Sequence, residues 1–146
     1  MYTPHTVTIY NEFRSQNADF EETTTQYITV LRGVFLDCVN GTSQNSGGQN
    51  AANSAALYIP LDVNARSADG RPQRYAGAAE FINAECRAGL WTIIPGDTFF
   101  VKGEVIESGK SFEYINSHHD NVFRVTRADM KDFGTADMQH IEVSGA

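Results

Sequence analysis

The residue types able to do chemistry gather in few places along this chain. His118-His119-Asp120 is the one run from which a metal or acid–base site can be argued by spacing. Neighbouring residues of a strand point to opposite faces, and in a turn they rarely converge. Further ligands would have to come from His5, His140 or distant carboxylates. The plainer reading is a polar turn ahead of the strand that begins at Val122. Glu21-Glu22 and the Asp129/Asp132 pair are acidic, but an acid–base couple needs a cleft and unequal surroundings. They lie in polar stretches and read as solvated faces.

Cys38 and Cys86 belong to no CxxC or Cys/His cluster, so two buried free thiols are expected. Cys38 has no histidine close in sequence, and GxSxG, HExxH, GxxxxGK[ST] and GxGxxG are all missing. No catalytic residue, metal or cofactor is therefore assigned, and the chain is expected not to be an enzyme. Phe99, Phe100, Tyr114 and Phe123 could stack bases, as on a single-strand-binding barrel. Only Lys102 and Arg124 flank them, and core packing accounts for them better.

Arg66, Arg71 and Arg74 stand close together within the irregular stretch Asn64 to Ala76. They could grip an acidic partner surface or a phosphate, or simply be solvated. The segment from Asn40 to Ala56 is more unusual: it has no charge, no aromatic and no branched aliphatic residue. A stretch of that composition cannot build a core, and long connections of this kind are functional loops or disordered ones. Its amides and hydroxyls at Asn40, Thr42, Gln44, Asn45, Gln49, Asn50 and Asn53 can pair with backbone or with one another without desolvating a charge.

The elements that must position these residues are mostly strands. With 146 residues the chain has room for one domain, taken here as 1–146. Eighteen acidic against eleven basic side chains leave a net charge of −7, which disfavours general nucleic-acid binding. Neither a secretion signal nor an apolar run approaching the roughly 20 residues of a membrane span is visible. Val, Ile, Thr, Tyr and Phe concentrate in Thr6 to Tyr10, Thr25 to Leu36 and Leu57 to Val63. Gly33 interrupts the second run, as a bulge or sharp bend would.

Leu90 to Ile94, a Pro95-Gly96-Asp97 turn and Thr98 to Ile106 read as a hairpin. Phe112 to Ile115, Val122 to Thr126 and Met138 to Val143 complete the strands, with one short helix over Gly77 to Cys86 and a turn over Ala128 to Phe133. Regular strands without crossover helices predict a mainly β fold: a small antiparallel β-barrel, or a sandwich, with one short helix and a long polar loop at 40–56. Closure favours the barrel because it removes exposed edges.

The order of these segments resembles a known group. Val7-Thr8-Ile9-Tyr10-Asn11 comes first, then Gly33-Val34-Phe35 before a polar loop, Tyr58-Ile59-Pro60 and the Glu80-Phe81-Ile82 helix. Trp91-Thr92-Ile93-Ile94-Pro95-Gly96-Asp97 leads into Phe100-Val101-Lys102-Gly103, and His140-Ile141-Glu142-Val143 closes the chain. Over nearly its whole length this is similar to the small neck proteins of tailed bacteriophages, the head–tail connector or head-completion family that includes stoppers. The resemblance implies a structural, homo-oligomeric ring in the virion neck, assembled in the host cytoplasm. Such a ring contacts portal or adaptor proteins on one side and tail-completion or tail-tube proteins on the other. Packaged DNA passes through it without sequence-specific binding, and no membrane is involved. By position, the channel-facing loop would be Asn40 to Ala56, and Arg66, Arg71 and Arg74 would be partner-interface candidates. A tail-completion or adaptor protein of the same virion, or a cytosolic β-barrel binding module, are the alternatives.

Overall fold

The computed structural model describes residues 2–39, 42–45, 48–51 and 53–146, with 42–45 and 48–51 followed along the backbone. Two long strands open the chain, β1 (His5–Gln16) and β2 (Glu22–Val39). Three short ones follow, β3 (Thr42–Asn45), β4 (Gly48–Ala51) and β5 (Ser54–Pro60). Then come β6 (Asn64–Ser67), β7 (Arg74–Tyr75), helix α1 (Ala78–Asn83), β8 (Leu90–Trp91) and β9 (Thr98–Lys102). Helix α2 (Phe112–His118), β10 (Val122–Lys131), a 3-10 turn at Ala136–Met138 and β11 (His140–Gly145) complete it.

The principal sheet closes on itself. Its hydrogen-bonded order runs β1, β9, β10, β11, β5, β2 and back to β1, every pair antiparallel, with β6 added along β2. The expected barrel is this ring. Two strands turn its corners. β2 follows β1 as far as Val34 and then β5 from Phe35 onward, and the bend falls at Gly33, whose φ of +92° suits glycine. β10 pairs with β9 through Arg124 and with β11 from Val125, with a register shift between Val125 and Arg127, a bulge that re-aims the strand.

Alternation along the strands sends one set of side chains inward. Val7, Ile9, Leu31, Leu57, Ile59, Phe100, Phe123, Ile141 and Val143 fill the interior. Each such side chain contributes roughly 1.5–3 kcal/mol on burial. Gly145 is there for want of space: a Cβ on it would stand 2.8 Å from Phe123 Cβ and 3.0 Å from Phe100 Cζ. In β9, Thr98 to Val101 are buried without a break. Phe100 belongs to the interior, whereas Phe99 and Val101 join a second cluster outside with Tyr10, Ile115 and Val122. Tyr10 stacks on Phe99 at 4.6 Å, and its hydroxyl donates to the carbonyls of Val105 (3.2 Å) and Glu107 (3.0 Å). Helix α2 and the segment after β9 therefore roof one outer wall of the barrel.

Several expectations are corrected here. Phe112 to Ile115 is the start of α2, not a strand: Ser111 caps it by accepting from Tyr114 N at 3.1 Å, and Phe112 and Ile115, three apart, face the outer cluster. A second helix thus joins the expected one. Ala128 to Lys131 is strand, the continuation of β10 opposite β11. The Ile94–Thr98 turn forms, with Asp97 N and Thr98 N donating to Ile94 O at 3.1 and 3.0 Å. The strands beside it do not make a hairpin, because β8 pairs with β7 and in parallel. The reason is Asn11, whose buried amide accepts from Thr92 N (3.2 Å) and donates to Thr92 O (2.6 Å) and Thr98 Oγ1 (3.1 Å). One side chain satisfies the backbone groups a ladder partner would have taken. The thiols are free, yet neither is fully buried: Cys38 is half-buried and Cys86, just past α1, is exposed.

Candidate functional site

The uncharged segment carries a two-stranded ribbon of its own, β3 against β4, with Thr42 opposite Ala51 and Asn45 opposite Gly48. The barrel ladder before it ends with Val39 opposite Ser54. Both ladders keep one register, so the ribbon continues the β2–β5 hairpin as an arm. Thr42, Gln44, Asn45, Gln49 and Asn50 all lie in its strands, and Asn40 falls outside the described residues. Asn53 sits at the arm's base and lines a polar hollow of about 430 Å³ with Asn116, His119, Asp120 and Asn121. Its two strands, Thr-Ser-Gln-Asn and Gly-Gln-Asn-Ala, carry no charged, aromatic or branched aliphatic residue.

Each of the three arginines is engaged by a local partner. Arg71 Nε is 3.1 Å from Asp69 Oδ2, and Arg74 reaches Glu80 through two nitrogens, at 2.8 and 3.3 Å. Arg66 Nε donates to Asn64 Oδ1 at 3.1 Å. Hydrogen bonding to Arg74 holds the Glu80 carboxyl below the usual carboxylate range, and the Ser67 hydroxyl does the same for Asp69. These are exposed local pairs that shape the β6–β7 loop and the start of α1.

The histidines have separate partners. His118 stacks on Tyr114 at 3.9 Å, while His119 Nε2 meets Glu107 Oε1 at 2.8 Å, joining the end of α2 to the segment after β9. His140 meets Glu142 on β11 at 3.2 Å. Among the described residues no three His, Cys, Asp or Glu side chains stand together as a metal site would require. Perturbed acidities follow burial or a neighbour. Burial, aided by Glu107, pushes the Tyr10 hydroxyl up to about 12; burial raises the Glu12 carboxyl and the Cys38 thiol. Phe99, Phe100 and Phe123 are buried, as core packing requires, whereas Tyr114 is half-buried on α2 against the outer cluster.

Two surface features escaped the sequence reading. One is Phe20, 82% exposed at the tip of the β1–β2 hairpin. The other is an apolar patch where β10 turns toward β11, with Phe133 69% and Met138 62% exposed. The signal for the first was present in Asn17-Ala18-Asp19-Phe20-Glu21, a turn-forming run with an aromatic residue between acids.

Fold and surface together define a small closed antiparallel barrel that presents a polar arm and an apolar patch. No described helix is long and apolar enough to cross a membrane. The chain belongs to a family of unknown function, DUF6751, whose model matches residues 2–146. No curated protein matches it, and no solved structure does.

Proposed function

We propose that the chain is a structural component of a phage virion neck, a ring that joins the portal of the DNA-filled head to the tail and lines or closes the DNA channel. The observation that carries this reading is the β3–β4 arm: an uncharged ribbon continuing the barrel in register, at the position where the resemblance puts a channel loop. A conduit must let a polyanion slide. Each Lys or Arg contact to phosphate would add a salt-dependent hold, and the arm supplies none. Asn, Gln, Ser and Thr edges from several copies can meet around an axis and pair backbone to backbone, obstructing a channel sterically and yielding without an apolar anchor to break. The net charge of −7 agrees with passage. A tail-completion or adaptor position would use the same barrel and arm.

The deciding experiment is quantitative mass spectrometry of purified particles, counting this chain against the portal protein. A fixed small-integer ratio, with the chain lost from headless or tailless intermediates in a set order, is expected. Absence from particles would leave a cytosolic β-barrel binding module.

A further inference from the structure

Phe20 breaks a local rule. Its φ of +61° lies in the left-handed region, which glycine or asparagine adopts at far lower cost than an aromatic residue. The backbone is nevertheless held there firmly. Asn17 Oδ1 accepts from Asp19 N and Glu21 N, both at 2.9 Å, while Phe20 N donates to Asn17 O (3.1 Å) and Asn17 N to Glu21 O (3.0 Å). A strained, hydrogen-bonded turn that carries its aromatic ring in water gains nothing for the fold. Strain kept at such a cost points to a contact elsewhere.

The same chain offers a hollow of matching character. Lys131, Phe133, Gly134, Met138, His140 and Glu142 line an apolar depression of about 390 Å³, on the scale of small ligand sites at roughly 300–1,000 Å³. Its rim is also preset: Met138 N donates to Thr135 O at 2.9 Å, Gln139 Nε2 to Gly134 O at 3.2 Å, and Thr135 Oγ1 to Asp137 Oδ1 at 2.6 Å. His140 Nε2 lies 3.2 Å from Glu142 Oε1, whereas Lys131 has no ion pair among the described residues. Asp19 and Glu21 flank Phe20. Knob and hollow therefore match in apolar character, and Lys131 offers one cation to the acids beside Phe20 in a region that also carries Asp132, Asp137 and Glu142; the exposure of knob and hollow leaves them uncovered within one chain.

We propose that Phe20 of one copy seats in the Phe133–Met138 hollow of a second copy, with Asp19 or Glu21 meeting Lys131 at its mouth. The contact is head-to-tail: each copy gives a knob on one side and a hollow on the other, so copies add in series and close where the rotation allows. Only that closure into a ring rests on the neck reading. A single-knob interface falls below roughly 1,000 Å² and is weak until neighbours align it.

Sedimentation equilibrium of the intact chain from ~10 μM to ~1 mM tests this. The average mass is expected to climb past that of a dimer. Phe20→Gly, which relieves the turn, and Met138→Glu, on an exposed side chain, are each expected to stay monomeric while unfolding at or above, and near, the wild-type temperature respectively. Mixed together they should form a one-to-one heterodimer and nothing larger, since one variant keeps the hollow and the other the knob. Phe133→Ser provides an independent hollow variant should Met138→Glu fold poorly. A wild-type chain that is monomeric throughout, a Phe20→Gly chain that associates like wild type, or a mixture that stays monomeric overturns the contact. Any of these leaves the particle count untouched, so the neck reading stands or falls separately.

Discussion

Two hairpins leave the barrel, and they are made of opposite materials. The outer end of β1–β2, from Arg14 to Thr24, is charged, locked by Asn17 and tipped with a strained aromatic. The β3–β4 arm is uncharged and without an aromatic, and extends its parent ladder without a change of register. Preorganisation with an apolar tip suits a fixed contact, because the ordering cost is met during folding. Polarity without charge or anchor suits a surface past which something must move. On the two proposals above, one barrel carries a holding element and a yielding one.

The contrast presumes a base that neither hairpin stabilises, and the largest expected effects strike that base. Trp91→Ala empties a site that is 2% exposed and removes the edge contact to Tyr75, at a cost of roughly 3–5 kcal/mol in chemical denaturation. A loss below about 0.5 kcal/mol would mean that Trp91 packs on a surface. Gly145→Ala drives a methyl into Phe100 and Phe123 and should cost about 1–3 kcal/mol, read the same way.

Alkaline titration probes the outer roof. The Tyr10 hydroxyl titrates near 12 in the fold and near 10 unfolded, so its contribution is complete below pH 10 and is lost as the pH rises toward 12. Tyr10→Phe should remove that step from a stability–pH curve and leave the neutral range lower by about 1 kcal/mol, the net value of a typical hydrogen bond.

The hairpins themselves should then respond in opposite senses. Phe20→Gly is expected to stabilise the chain by up to about 1 kcal/mol, since the left-handed turn no longer opposes a Cβ. Replacing 42–51 by a short Gly-Ser link should change thermal stability little while impairing particle completion or DNA retention. Unfolding on that replacement would make the arm part of the barrel. The replacement must spare Ala55, which is buried and pairs with both Cys38 and Gly145.

Much of the barrel was legible because alternation has a fixed period. Thr6 to Tyr10, Thr25 to Leu36 and the closing Ile141 and Val143 all occupy strands, and Gly33 marks the bend it suggested. Of the sites, the polar segment was legible by composition alone. Its ribbon was missed because the strand-favouring β-branched and aromatic residues are nearly absent from it, although the Asn45–Gly48 pairing leaves two residues between the strands, a hairpin spacing in the sequence. Each of the three arginines pairs locally, with a partner within six residues, which spacing alone does not announce.

The sequence by itself determined that this chain is mainly β, antiparallel and acidic, and that one long segment carries no charge. Those properties depend on residue type and short-range period, which no fold can alter. Only the tertiary structure decided which edges meet, because ring closure joins strands far apart in the chain: β5 to β11, and β1 to β9. The same holds for Phe112-Glu113-Tyr114-Ile115, whose four residues satisfy a strand pattern and a helical one alike. The outer wall of β9 offered a surface to Phe112 and Ile115 together, and side chains three apart reach one surface only on a helix.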